Sequence, residues 1–116
     1  MRWFLAGHRP ESRPSLADPR VPGALSRFRI LDLSRVLAGP SCTQLLADLG
    51  ADVVKIERPG LGDDTRGWGP PYLRDSAGDD TSEAGYYLSA NRGKRSVAVD
   101  IKTAQGQEVI RELALC

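Results

Sequence analysis

Three short segments of the sequence carry groups that suit an anionic ligand. Gly39 allows a ligand to approach the backbone closely, and the helix predicted after it offers free N–H groups to negative charge. Arg58 presents a planar guanidinium, which suits a phosphate or stacking on a base, and Lys102 adds an ammonium. The segments are Arg35–Pro40, Glu57–Gly60 and Val99–Lys102. Taken together, they predict a nucleotide-binding site.

Each of the three segments also has a simpler explanation. Ala38–Pro40 would serve as a tight turn from a strand to a helix, and Lys102 as a solvated residue where a helix starts. Arg58 could pair on the surface with Asp63, Asp64 or the adjacent glutamate, an interaction typically of about 1 kcal/mol or less. The sequence contains neither a G-x-G-x-x-G dinucleotide fingerprint nor a P-loop. Taken singly, the segments favour these simpler interpretations.

The other residues with reactive side chains do not indicate a catalytic site or a metal site. Asp63 and Asp64 are expected to be solvated, although adjacent carboxylates could act as a general acid and base. Cys42 falls on the apolar face of a predicted helix and is expected to be a small core residue. The basic run Asn91–Arg95 is expected to be a solvated turn. His8 is the only histidine, which argues against histidine acid–base catalysis and a two-histidine metal site.

The elements that would position the three segments begin with a strand, a helix and a second strand. Arg29–Ser34 is a short apolar run that predicts a buried strand. Pro40 suits the first position of a helix, where its missing N–H is not needed, and Gly50 suits the position just after the helix ends. Ala51–Ile56 predicts the next strand, so the strands should pair in parallel. The helix has one apolar face, formed by Cys42, Leu45, Leu46 and Leu49.

The remaining segments complete a predicted α/β fold. Glu57–Ala84 is expected to be a long functional or mobile loop, Gly85–Asn91 one or two helical turns, and Arg95–Ile101 a third strand. Thr103 can cap a last helix, whose apolar positions are Val109, Ile110 and Leu113. This is a partial Rossmann-like parallel sheet of three strands with flanking helices. In such sheets ligands bind beyond the carboxyl ends of the strands, where the three segments arrive.

Composition limits the class of protein. The chain has 116 residues, of which 16 are basic and 15 acidic. Hydrophobic residues make up 41% of the sequence and charged residues 27%, a composition too apolar for a wholly disordered chain. The net charge of +1 gives no indication of the strongly basic surface that nucleic-acid-binding proteins use. The longest uncharged run, Val36–Ala47, is far shorter than the ~20 residues of a membrane span. We therefore expect neither nucleic-acid nor membrane binding.

The first 28 residues differ from the rest and are expected to form a disordered leader. They contain several arginines, four prolines and little periodic apolar pattern. An organellar presequence is the alternative, although Glu11 and Asp18 count against it. The ordered domain is predicted over residues 29–116. We expect a cytoplasmic location, with a mitochondrial one as the alternative.

Several motifs, in the same order and with matching gaps, resemble the N-terminal part of the family III CoA-transferases (CaiB/BaiF type). This family includes formyl-CoA transferase, the carnitine CoA-transferases and α-methylacyl-CoA racemase. The Asp63–Arg66 and Trp68–Pro71 pieces most resemble the succinyl-CoA:glutarate CoA-transferase branch. The resemblance covers about residues 29–115 and is carried by Ile30–Pro40, Ala47–Gly60, Gly62–Arg66, Trp68–Pro71 and Tyr86–Lys102.

The resemblance implies a coenzyme A site on the Rossmann-like domain. CoA and acyl-CoA would be substrates together with a carboxylic acid, and no cofactor would be bound covalently. A guanidinium and an ammonium would meet the 3′-phosphate and pyrophosphate of CoA. The CoA contacts carried over from the family fall on Val36, Leu37, Ala38, Arg58, Val99 and Lys102.

The resemblance also implies what this chain lacks. The family uses an aspartate nucleophile that forms a mixed anhydride with the acyl group, and it lies beyond the segments seen here. The chain would therefore be an incomplete, N-terminal part of an interlocked homodimer, inactive on its own, with exposed apolar edges on its third strand and last helix. A non-catalytic CoA- or nucleotide-binding module, a split subunit and an acyl-CoA racemase are the alternatives.

Overall fold

The computed structural model describes residues 22–115 and contains five strands, three α-helices and one 3₁₀ helix in this range. Residues 1–21 of the predicted leader lie outside the described residues. Within the remainder, the Leu25 backbone N–H donates to the Leu49 carbonyl over 2.9 Å. The elements are β1 (Arg29–Asp32), α1 (Ala38–Asp48), β2 (Asp52–Glu57), the 3₁₀ helix (Asp64–Gly67), β3 (Tyr72–Arg74), β4 (Asp80–Ala84), α2 (Gly85–Asn91), β5 (Lys94–Ala98) and α3 (Ala104–Leu115).

The three predicted strands form one parallel sheet in the order β1-β2-β5. Ile30 lies opposite Val53, and Val54 lies opposite Arg95, so the central strand pairs on both sides. Gly50 has a φ of 99°, which a glycine adopts at little cost, and it turns the chain from α1 into β2. The predicted α/β class and the parallel sheet are confirmed.

The third strand is shorter than the sequence predicted. β5 ends at Ala98 rather than at Ile101. The reason is a turn in which the Thr103 backbone N–H donates to the Asp100 carbonyl over 3.1 Å. The Thr103 hydroxyl then accepts from the Gly106 backbone N–H at 3.0 Å, so the predicted cap of α3 is confirmed.

The small core lies between the sheet and α3. Val54, Ile56 and Val99 are buried, and Leu31 packs against them. Two of the three apolar positions predicted on the last helix, Ile110 and Leu113, also contact this cluster, whereas Val109 is 39% exposed.

The segment after β2 is folded, so the prediction of one long loop over residues 57–84 was wrong. It contains the 3₁₀ helix and the antiparallel hairpin of β3 and β4. Its polar side chains satisfy the backbone locally: Asp63 caps the 3₁₀ helix, and Asp75 accepts from the backbone N–H groups of Ala77 and Asp79. Polar composition alone did not distinguish this from an open loop.

The apolar face of α1 is exposed, so the prediction of Cys42 as a core residue was wrong. Cys42 is exposed, Leu45 is 62% exposed and Leu49 is 51% exposed. The face that packs inward instead contains Pro40 and Gln44, and Gln44 accepts from the Arg92 backbone N–H at 3.0 Å. Helical periodicity identified the apolar face correctly, but it did not show which face the domain covers.

We expect the chain to associate through these apolar surfaces. Of the strands that the structure describes, β1 and β5 each have a single neighbour in their sheet, and Leu45 stands exposed on α1. Sedimentation velocity should show an average mass that rises with concentration, and Leu45→Lys should reduce the rise. Leu73→Lys, on the exposed hairpin, is the matched control. A monomeric mass at every concentration, with a sharp cooperative melt, would contradict this expectation.

Within residues 22–115, no helix combines the length and the hydropathy needed to cross a bilayer.

Candidate functional site

A groove of about 600 Å³ lies where β2 and β5 end. It contains cationic, acidic and apolar groups, which suits a ligand with a charged end and a less polar body. Val99 joins the two strands here, because its backbone N–H donates to the Glu57 carbonyl over 2.9 Å. The lining of the groove includes the apolar Leu33, Leu61 and Val99, the basic Arg35, Arg58 and Lys102, and the acidic Glu57 and Asp100.

The structure brings together part of the predicted site. Arg58, Val99 and Lys102 all line the groove, as expected from parallel strands whose carboxyl ends meet. The first loop contributes differently, since the residues predicted from it, Val36, Leu37 and Ala38, are not part of the groove lining. Ala38 begins α1, Leu37 is 43% exposed, and the loop residue that lines the groove is Arg35.

Val36 adopts a strained backbone conformation. Its φ is 70°, a left-handed value that β-branched residues rarely adopt. Its backbone N–H points at the Asp63 carboxylate, with the nitrogen 3.3 Å from both oxygens. The first loop is therefore held by a side chain that follows the second strand.

A buried ion pair anchors this arrangement. Lys55 Nζ lies 2.9 Å from Asp63 Oδ2, and the two side chains are 1% and 0% exposed. Lys55 also donates to the Ser34 carbonyl at 3.0 Å, so one ammonium joins the loops after β1 and β2. The prediction that Asp63 is solvated was therefore wrong, and the sequence did contain a signal: Lys55 is the one cation in an otherwise apolar and acidic strand.

Burial and hydrogen bonding act on Asp63 in opposite directions. Burial favours the neutral acid and would raise its pKa. Hydrogen bonds from the Thr65 backbone, from Lys55 and from the Thr65 hydroxyl favour the carboxylate, and they leave the pKa below its ordinary value. Asp63 is therefore a carboxylate in the native state.

A second buried cluster surrounds Glu57. Its carboxylate accepts from Arg66 at 2.7 and 2.8 Å, from the Tyr87 hydroxyl at 2.7 Å, from Ser96 at 2.6 Å and from the Asp63 backbone at 2.8 Å. Burial works to raise the pKa of Glu57, but the hydrogen bonds, led by those from Arg66, lower it to about 2. The same burial and the neighbouring carboxylate raise the pKa of Tyr87.

The basic run Asn91–Arg95 is not a solvated turn throughout, so that prediction was wrong in part. The Lys94 side chain is buried, and its Nζ lies 3.1 Å from Asp32 Oδ2; Asp32 also accepts from Thr43 at 2.6 Å. Arg92 pairs with Asp48 on the surface, at 2.6 Å. The run holds α1 and α2 to the sheet. The number of charges in the run and its place in the sequence did not reveal these contacts.

Arg58 pairs with Asp64, one of the partners that the sequence suggested. Its Nη2 lies 2.5 Å from Asp64 Oδ1, while Arg35 Nη1 lies 3.3 Å from Asp64 Oδ2. All three side chains are partly exposed, between 37% and 52%, so they can exchange partners with ions from solvent. Arg35 belongs to the first of the three segments predicted to form the site, but the sequence assigned it no contact of its own.

In the described part of the chain, no group of three or more His, Cys, Asp or Glu side chains is placed to hold a metal ion. Buried polar side-chain atoms in the same range all have hydrogen-bond partners. The exposed charged groups of the groove, which can reach a ligand, are the basic Arg35, Arg58 and Lys102 and the acidic Asp100.

Fold and groove define a class: an α/β domain with a groove of basic, acidic and apolar side chains at the carboxyl edge of a parallel sheet. Residues 25–115 match the sequence model of CoA-transferase family III, so the chain belongs to that family. The resemblance inferred from the motifs is confirmed.

The relatives are much longer than this chain. Succinyl-CoA:glutarate CoA-transferase of Mus musculus is 54% identical over 90 residues, which are 78% of this chain and 19% of the relative. Succinate–glutarate CoA-transferase of Agrobacterium fabrum is 53% identical over 95 residues, 82% of this chain and 24% of the relative. The crystal structure of a CAIB/BAIF family protein from Brucella suis has a TM-score of 0.71 and 45% identity, over 80% of this chain and 24% of that one. The chain thus spans a quarter or less of these proteins.

Proposed function

We propose that this chain supplies the CoA-binding part of a CoA-transferase that moves CoA from an acyl-CoA donor to a carboxylic acid, of the succinyl-CoA and dicarboxylate type. The observation that carries the proposal is the groove at the ends of β2 and β5, where Arg58 and Lys102 converge. The names of the relatives from Mus musculus and Agrobacterium fabrum support the choice of acids.

The chemistry of CoA matches the groups in the groove. Its 3′-phosphate and pyrophosphate are anionic, and guanidinium and ammonium groups form charge-assisted hydrogen bonds with phosphate oxygens. Leu33 and Leu61 supply apolar surface against which the less polar parts of the ligand can pack. The loop of Val36, Leu37 and Ala38 adjoins the groove residue Arg35 and would contact the ligand beyond the phosphates.

We assign no nucleophile to residues 22–115. The buried carboxylates Asp32, Glu57 and Asp63 each hold a cation of the chain and have lowered pKa values, so they serve the structure. In this proposal CoA is a substrate, no cofactor is bound covalently, and the working enzyme is a homodimer. We propose a cytoplasmic location, with a mitochondrial one as the alternative.

Arg58→Ala should weaken the binding of CoA by about tenfold or more, because a charge-assisted hydrogen bond contributes about 1.5–3 kcal/mol. Isothermal titration calorimetry of the 116-residue chain with CoA measures this. Lys102→Ala should act in the same direction.

The matched control is Arg111→Ala, since Arg111 is an exposed arginine on α3 that pairs with Glu108 at 2.9 Å. It should leave the affinity unchanged. Equal affinity of the chain and of Arg58→Ala for CoA, or no binding by either, would disprove the proposed site.

A further inference from the structure

Asp64 bridges the two arginines that line the groove. Its Oδ1 lies 2.5 Å from Arg58 Nη2, and its Oδ2 lies 3.3 Å from Arg35 Nη1. Each carboxylate oxygen takes one guanidinium, so the carboxylate occupies the position that a bridging anion would take between them. Within residues 22–115, Asp64 is the ion-pair partner of both arginines.

Asp64 lies outside the groove lining and reaches it through the two arginines. The exposed carboxylate that lines the groove, Asp100, accepts from the Lys102 backbone N–H at 3.0 Å. The remaining neighbouring carboxylates are buried. Asp63 is fully buried against Lys55, and Glu57 is buried against Arg66. Asp64, in contrast, is 37% exposed and starts the 3₁₀ helix, whose cap is formed by Asp63. Its role is therefore separable from the stability of the fold.

We propose that Asp64 is an internal counter-ion that competes with the anionic ligand of the groove and so sets the affinity of this site for phosphate groups. The inference rests on the proposed function for the identity of that anion. Whether Asp64 is displaced from the arginines or stays beside them, its negative charge opposes an incoming phosphate. An incoming anion can break the pairs that Asp64 makes with Arg35 and Arg58 at a small cost in free energy, because both pairs are partly exposed to solvent.

The test measures the binding of inorganic pyrophosphate to the 116-residue chain by calorimetry. Asp64→Asn removes the charge and keeps the shape, and it should tighten binding by about three- to tenfold at low salt. The gain should shrink in about 1 M salt, where charges are screened beyond about 3 Å. Asp64→Glu restores the carboxylate and should return the affinity to that of the unchanged chain.

Asp80→Asn is the matched control, because it changes the net charge equally and Asp80 pairs with an exposed arginine of the hairpin, Arg74, at 3.6 Å. It should leave pyrophosphate binding unchanged. Weaker or equal binding by Asp64→Asn, a gain of the same size in Asp80→Asn, or no pyrophosphate binding by any variant would overturn the inference. Failure of this inference is distinguishable from failure of the CoA site. If Asp64→Asn binds pyrophosphate more tightly while Arg58→Ala leaves CoA binding unchanged, the counter-ion role is supported and the CoA site is disproved.

Discussion

Asp63→Asn is expected to lower the free energy of unfolding by about 3–5 kcal/mol, because it leaves the Lys55 ammonium buried without a counter-charge. The substitution also weakens the hydrogen bonds that Asp63 accepts from the Thr65 backbone at 3.0 Å and from Val36 at 3.3 Å. Urea unfolding followed by circular dichroism should show a transition at a much lower urea concentration, at matched protein concentration.

Two further variants separate the ion pair from the general effect of a substitution at this turn. Asp64→Asn, at the next residue, should change stability little, because Asp64 is partly exposed and pairs with exposed arginines. Lys55→Met combined with Asp63→Asn should be less destabilised than Asp63→Asn alone, since no unpaired charge then stays buried. Equal stability of Asp63→Asn and the unchanged chain would show that the buried pair does not hold the fold.

A consequence of the Asp63 anchor should appear in binding as well. The carboxylate accepts from the Val36 backbone, whose φ of 70° is unfavourable for a β-branched residue. Without this acceptor the first loop should relax away from its position beside the groove. Asp63→Asn therefore tests whether this carboxylate positions the first loop. CoA binding should weaken even under conditions in which circular dichroism shows the Asp63→Asn chain to be folded.

Glu57 is expected to dominate the loss of stability in acid. Its pKa is lowered from 4.5 to about 2 in the native state, so below pH 4.5 the unfolded chain takes up a proton that the folded chain does not. The stabilisation is complete above pH 4.5 and is lost as the pH falls towards 2. Since one unit of pKa shift corresponds to about 1.36 kcal/mol, the stabilisation amounts to about 3 kcal/mol. Asp32 and Asp63, whose pKa values are also lowered, act in the same direction.

Glu57→Gln removes the titrating carboxyl group, so comparing this variant with the unchanged chain isolates the contribution of Glu57 to the pH dependence of stability. Urea unfolding at a series of pH values should show lower stability than the unchanged chain at neutral pH and a flatter decline in acid. Glu108→Gln is the control, because Glu108 forms an exposed pair with Arg111 and should leave the profile as it is. A decline in acid as steep in Glu57→Gln as in the unchanged chain would assign the acid sensitivity to other groups.

Much of the fold was predictable because its signals are local. The run before Asp32, the glycine at position 50 and the capping residue Thr103 each specify a backbone conformation through their own chemistry. The end of β5 and the hairpin after the 3₁₀ helix were not predictable in the same way. They depend on backbone hydrogen bonds between residues whose polar composition equally suits an open loop.

The sequence by itself determined the parallel α/β arrangement, the family and the convergence of Arg58, Val99 and Lys102, because parallel strands bring their carboxyl ends to one edge. Only the tertiary structure decided which charges are buried. Two adjacent aspartates are alike in sequence, yet Asp63 is buried on Lys55 and Asp64 faces the groove arginines. The physical reason is that burial of a charge depends on partners brought from other elements, and the paired groups here come from separate segments of the chain.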